Sequence, residues 1–120
     1  MNFLIADDEV LIRKSLARAF ASHGHTCDEA ENGVQALEKL HQNKYDAVLL
    51  DVIMPEKGGY EVLLEYKKPM KVFVISAFSG DDTNIGIIQK DPRVLEYISK
   101  PFDHIQDVVK LVFEKLAENA

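Results

Sequence analysis

Five apolar runs of strand length alternate with five segments of helical period along this 120-residue chain, and that alternation restricts the fold to one class. Strands are expected at 2–6, 26–30, 45–50, 71–75 and 94–98. The third and fourth carry 47–50 (AVLL) and 72–75 (VFVI), apolar at every position, as strands covered on both faces of a parallel sheet must be. The second, Thr26-Cys27-Asp28-Glu29-Ala30, is the most polar and belongs at an edge.

Helices are expected at 9–22, 34–42, 59–66, 82–90 and 103–117. Ile12, Leu16, Ala19 and Phe20 stripe the first, which Gly24 stops. Ala36, Leu37 and Leu40 face inward on the second, and Val62, Leu63 and Tyr66 on the third. Ile105, Val108, Val109, Val112 and Leu116 stripe the last, with Asp103 placed to cap it. The fourth is the poorest helix, since Gly86 in its interior costs about 1 kcal/mol relative to alanine. Ile85, Ile87 and Ile88 cannot all face inward on one helix, so at least one is expected to be exposed. The reading is one domain over 1–120: an α/β fold with (βα)5 order, a doubly wound parallel five-stranded sheet, and ligands at the carboxyl ends of its strands.

Charge and cysteine content set the company such a domain keeps. Fourteen basic against twenty acidic residues leave a net charge of −6, which disfavours binding to a nucleic-acid backbone. The three residues after 117 in this sequence are too few to form a DNA-binding segment, and no direct nucleic-acid partner is expected of residues 1–120. Cys27 is the only cysteine, so no intrachain disulfide forms and a reducing compartment is expected. The N-terminus lacks the basic and long apolar regions of a signal peptide, and no apolar run approaches the roughly 20 residues that span a bilayer. A cytoplasmic protein is expected, with no membrane partner.

The chemistry is concentrated at strand ends. Asp7 and Asp8 end the first apolar run and Asp51 ends the third, and in a parallel sheet those ends can lie side by side. Three converging carboxylates repel one another unless a cation or proton intervenes, so a hard cation with oxygen ligands is expected, most simply Mg²⁺. Ser76 ends the fourth run, and Lys100 follows the fifth. The set suits phosphoryl transfer: Asp51 as carboxylate nucleophile, Asp7 and Asp8 on the metal, Lys100 and the Ser76 hydroxyl toward phosphoryl oxygens. Lys100-Pro101 restricts Lys100 to extended geometry and admits a cis peptide. Each part also has a plainer reading. Paired aspartates can simply cap a helix, Ser76-Ala77 can be a small-residue turn, and Tyr97 can be a packing residue of an edge strand. His23, His25 and Cys27 alternate in a way that imitates metal ligands, but they straddle a helix end and a loop.

Four stretches together, Ala6-Asp7-Asp8-Glu9, Leu49-Leu50-Asp51-Val52-Ile53-Met54-Pro55, Ile75-Ser76-Ala77 and Tyr97-Ile98-Ser99-Lys100-Pro101-Phe102, resemble the response-regulator receiver domain of two-component signalling, of the chemotaxis single-domain type. The resemblance covers the whole chain. It implies a flavodoxin-like fold and a phosphoaspartate switch that takes a phosphoryl group from the phosphohistidine of a sensor histidine kinase or phosphotransfer protein. It makes Asp51 the phosphoacceptor; Asp7, Asp8, Asp51 and the backbone carbonyl of Ile53 the Mg²⁺ site; Lys100 the phosphate-contacting lysine; and Ser76 and Tyr97 the switch pair. Such a domain catalyses its own phosphorylation and is not a turnover enzyme. Its output runs through the fourth helix, fifth strand and fifth helix, to a downstream protein or a second copy. Ile53 and Phe78, two residues after Asp51 and Ser76, would shield the phosphoryl group from water and slow its loss.

Three departures stand out: Gly58-Gly59 in place of Asp-Gly at the third helix, a short span from Asp51 to Ser76 that truncates that helix near Pro69, and Asp91-Pro92-Arg93-Val94 before the fifth strand. Two rivals remain. A degenerate receiver would serve only as an interaction module. A flavodoxin-like FMN carrier would need a phosphate loop where this chain has the anionic Ala6-Asp7-Asp8-Glu9.

Overall fold

Every expected strand forms, and each is followed by a helix. The computed structural model describes residues 1–77 and 83–119, with the backbone alone at 83–85 and 89. Along the chain run β1 (Asn2–Ala6), α1 (Val10–Ala21), β2 (Thr26–Ala30), α2 (Gly33–Gln42), β3 (Ala47–Asp51), α3 (Gly59–Glu65), β4 (Val72–Ser76), α4 (Thr83–Lys90), β5 (Val94–Ser99) and α5 (Ile105–Glu118). All neighbouring strands pair in parallel, in the order β2-β1-β3-β4-β5. The order reverses direction at β1, which leaves a crevice beyond the carboxyl ends of β1 and β3.

Period two within the strands divides the core in two. Phe3, Ile5, Leu49, Phe73 and Ile75 face α1 and α5, where Leu16, Phe20, Val109, Val112 and Leu116 meet them. Phe3 and Phe20 stack with ring centroids 4.3 Å apart and fasten α1 to β1. Leu4, Ala6, Val48, Leu50 and Val74 face the other way, against Ala36, Leu40, Val62, Leu63 and Ile88 of α2, α3 and α4. Ile88 is buried while its neighbour Ile87 is 46% exposed, so α4 does leave an isoleucine in solvent.

Several boundaries differ from expectation. β3 begins at Ala47, because Tyr45 and Asp46 are occupied by side-chain ties: the Tyr45 hydroxyl donates to Asp28 Oδ2 at 2.6 Å, and Asp46 Oδ2 accepts the Asn2 N–H at 2.7 Å. α5 begins at Ile105, and its N-cap is His104, with no side-chain cap bond, so Asp103 does not cap it. The apolar stripe starts at Ile105, and packing of that stripe sets where this helix begins. α3 ends at Glu65, within one residue of the expected 66 and four short of Pro69, and a side chain distant in sequence secures that end. The Arg93 guanidinium donates to the carbonyls of Leu63 (2.8 Å), Lys68 (3.2 Å) and Tyr66, satisfying backbone acceptors at that helix end. Asp91 holds the same guanidinium at 2.8 Å. His23, His25 and Cys27 form no metal shell: both imidazoles pack against Phe113, with ring centroids at 5.5 and 5.1 Å, and His25 Nδ1 lies 2.7 Å from the amino terminus.

Candidate functional site

Asp51 is the last residue of β3, Ser76 the last of β4, and Lys100 follows β5 directly, while Asp7 and Asp8 follow β1. Parallel pairing brings these ends to one edge. With Glu9, Ile53 and Ala77, the residues Asp8, Asp51, Ser76 and Lys100 line an open cleft of about 240 Å³. A larger cleft of about 370 Å³ opens among Leu40, Tyr45, Val48, Tyr66 and Met70, but none of the strand-end acids lines it.

Oxygens of Asp7, Asp8 and Asp51 all lie within 4.8 Å of one another, and among the described residues this is the one such cluster of acidic, histidine or cysteine side chains that could hold a metal ion. Asp7 and Asp51 are buried and Asp8 is exposed, so the cluster opens to solvent on one side. Each buried carboxylate is fixed by the chain two residues on: Asp7 Oδ1 accepts the Glu9 N–H at 2.8 Å, and Asp51 Oδ1 accepts the Ile53 N–H at 3.3 Å. The second oxygens face Lys100, whose Nζ lies 2.7 Å from Asp7 Oδ2, 3.0 Å from Asp51 Oδ2 and 2.8 Å from Glu9 Oε2. Asp7 Oδ2 is buried and receives no well-directed hydrogen bond, so its contact with Lys100 is charge against charge. The Lys100-Pro101 peptide is cis.

One ammonium among four carboxylates leaves a surplus of negative charge, and titration reflects it. Burial pushes the Asp51 carboxyl up to about 6, against the Lys100 hydrogen bond and with the Asp7 charge adding to the rise. Burial favours the neutral form of Lys100, yet Asp7, Glu9 and Asp51 outweigh it and hold the ammonium well above its ordinary value. A hard divalent cation fits this donor set: three carboxylates, one with a buried oxygen lacking a directed donor, in a site whose resident cation does not balance the charge.

Two supports were missed in the sequence. Arg13, buried in α1, donates to the Asp7 carbonyl at 2.8 Å and to Glu29 Oε1 at 3.1 Å, fixing the strand end that carries Asp7. Its position three residues before Leu16, on the buried stripe, is the signal that marks it. Gly58 and Gly59 do more than forgo a cap. A Cβ on Gly58 would lie 2.1 Å from the Val52 carbonyl oxygen, and one on Gly59 2.6 Å from that of Asp51. Glycine there lets α3 approach the β3 end, where the Gly59 N–H donates to Val52 at 2.9 Å. Glu61 supplies the return half of a capping box, accepting the Gly58 N–H at 3.0 Å.

Tyr97 sits on edge strand β5 opposite Val74 and packs, half-buried, on the core facing α2, α3 and α4. Ser76 is buried at the cleft wall. Phe78 lies outside the described residues.

The response regulator receiver domain family matches residues 3–112. This chain belongs to that family. The receiver is 35% identical over 104 residues to Response regulator RR06 of Streptococcus pneumoniae serotype 2 (strain D39 / NCTC 7466), an alignment covering 85% of this chain and 47% of that protein. It is 31% identical over 105 residues to Response regulator MprA of Mycobacterium sp. (strain KMS), covering 85% and 45%. The chain thus spans about half the length of the curated relatives it matches. The response regulator protein TrrA of Thermotoga maritima, solved in complex with Mg(2+)-BeF, is 33% identical, with a TM-score of 0.76 over 96% of this chain and 97% of that one. A CheY-like receiver domain protein from Methanospirillum hungatei JF-1 shares the fold with a TM-score of 0.85 at 22% identity, over 98% and 94% of the two chains. Among the described residues no helix is long and apolar enough to cross a membrane.

Proposed function

We propose that this receiver is a phosphoaspartate switch in which Asp51 is the phosphoacceptor. The observation that carries the reading is the Asp51 carboxylate itself: buried at a strand end, lining an open cleft, and 3.0 Å from the Lys100 ammonium. An Asp51 oxygen attacks phosphorus, the bond from phosphorus to the donor nitrogen of a phosphohistidine breaks, and that nitrogen keeps the electron pair. An acyl phosphate on Asp51 results. The donor is a sensor histidine kinase or phosphotransfer protein, the partner class with which response-regulator receivers work.

Asp7, Asp8, Asp51 and the Ile53 carbonyl would hold Mg²⁺, which supplies charge neutralisation between a carboxylate nucleophile and an anionic donor. The residues of the chain do the rest. Lys100 leaves its carboxylates for a phosphoryl oxygen, and the Ser76 hydroxyl donates to another. Drawing Ser76 toward Asp51 opens room for Tyr97 to turn inward, which changes the face made by α4, β5 and α5 and offers it to an output protein or a second copy. The chain promotes its own modification and does not turn over an external substrate. The 61% exposed Ile53 side chain lies at the cleft mouth with no polar atom to orient an attacking water, which favours a slowly decaying phosphoryl group.

Intact mass after incubation with acetyl phosphate and Mg²⁺ tests the reading. One added phosphate is expected on the parent and none on Asp51→Asn. Full labelling of Asp51→Asn would sink the assignment.

A further inference from the structure

We propose that Glu9 is a positioning residue that competes with the incoming phosphoryl group for Lys100, and so sets how tightly an anionic phosphodonor is held before transfer. The proposal rests on the phosphoaspartate reading above. An ammonium has three N–H donors, and Lys100 Nζ already has three carboxylate oxygens in contact, from Asp7 at 2.7 Å, Glu9 at 2.8 Å and Asp51 at 3.0 Å. Its directed hydrogen bonds go to Glu9 and Asp51 and none to Asp7 Oδ2, so a phosphoryl oxygen that enters the cleft competes with these carboxylates for the ammonium.

The three are not equally displaceable. The Asp7 side chain is fully buried and that of Asp51 nearly so, and each is anchored through its other oxygen to a backbone N–H. The Glu9 side chain is 57% exposed and sits in the turn between β1 and α1. Glu9 is the N-cap residue of α1, a position where a shorter Ser, Thr, Asp or Asn would accept a first-turn N–H, and it makes no cap bond. The carboxylate reaches instead across the cleft mouth to a lysine 91 positions away. There it acts twice on an approaching anion: it occupies the cation the anion needs, and it adds negative charge to the wall the anion must pass. For a pair whose acid stands in solvent, removing that charge is worth about twofold to fivefold in affinity.

The experiment uses acetyl phosphate as donor at saturating Mg²⁺, with labelling followed by intact mass over a range of donor concentrations. In Glu9→Gln the donor concentration giving half-maximal rate is expected to fall about twofold to fivefold, with the maximal rate little changed. Equilibrium binding of beryllofluoride, a phosphoryl stand-in, should tighten by a similar factor. In Lys100→Met most of the Glu9→Gln gain in beryllofluoride binding should vanish, because the route through Lys100 is gone and only the weaker charge of Glu9 on the cleft wall remains. In the metal-free protein, the Lys100 Nζ resonance should move on Glu9→Gln. Unchanged or weaker donor and beryllofluoride binding in Glu9→Gln overturns the proposal, as does a gain that persists in full without Lys100 or a Lys100 resonance that stays still. If the parent takes up neither phosphate nor beryllofluoride, the phosphoaspartate reading falls, and this proposal with it.

Discussion

Asp51 works at the expense of the fold. Burial raises its carboxyl from 3.8 to about 6, so the folded chain holds that proton more tightly than the unfolded chain. Ionising Asp51 therefore opposes folding: the penalty is absent below about pH 4 and complete above about pH 6. Asp51→Asn should stabilise the metal-free protein by about 1–2 kcal/mol at pH 7.5, after allowance for the open side of the cleft. The gain should shrink as pH falls through 6 toward 4, and urea unfolding in chelator at several pH values measures it. An Asp51→Asn protein no more stable than the parent at pH 7.5 would show that Lys100 fully compensates the buried charge. At the same scale, the Arg13 bond to the Asp7 carbonyl has no counterpart in motif reading, because a main-chain acceptor leaves no trace in sequence.

At the scale of elements, α3 is fastened at both ends by groups outside it or without side chains. Its start depends on glycine at 58 and 59, since the Val52 and Asp51 carbonyls occupy the space a Cβ would need. Gly58→Ala is expected to destabilise by about 1–3 kcal/mol through forced backbone movement, and to weaken Mg²⁺ binding because that movement presses on the carbonyl of Val52, the residue after Asp51. Its end depends on Arg93, across the sheet in sequence but adjacent in space. Arg93→Met should cost about 2 kcal/mol, leaving the Leu63, Tyr66 and Lys68 carbonyls without that donor and Asp91 without its cation. Hydrogen exchange should report this as faster exchange in the last turn of α3 while β3 amides stay protected. Unchanged exchange there would mean that water replaces the guanidinium at no loss. The apolar residues of α3 place its end near 66, within one residue of Glu65, but nothing local says that a distant arginine collects its carbonyls.

For the molecule as a whole, charge and topology act together. Net charge is −6, and part of the surplus is gathered at one sheet edge. Millimolar Mg²⁺ should therefore raise thermal stability by linkage, by about 2.7 kcal/mol when its concentration is a hundred times Kd. Asp8→Ala should remove most of that gain, since Asp8 is the exposed acid of the cluster and its loss does not disturb the core. Equal melting temperatures with and without Mg²⁺ in the parent would count against a cation site at these acids.

The alternation of apolar runs and helical periods, which is local chemistry repeated five times, was enough to determine the (βα)5 order, the buried central strands and the polar edge strand. The placement of the candidate residues was legible for a related reason: a polar residue that ends or directly follows a buried strand sits at the sheet edge, and Asp7, Asp8, Asp51, Ser76 and Lys100 all do so. Tertiary structure alone decided what joins those positions. Glu9 turns from its helix to Lys100, Arg13 holds the Asp7 carbonyl, Gly58 yields to a neighbouring backbone, and Arg93 closes a helix 30 residues earlier in the chain. Each of these is a contact between side chain and backbone, or between charges brought together by the crossover of strands. Period and propensity describe only what a residue shares with its near neighbours in sequence, and so they are silent on all four.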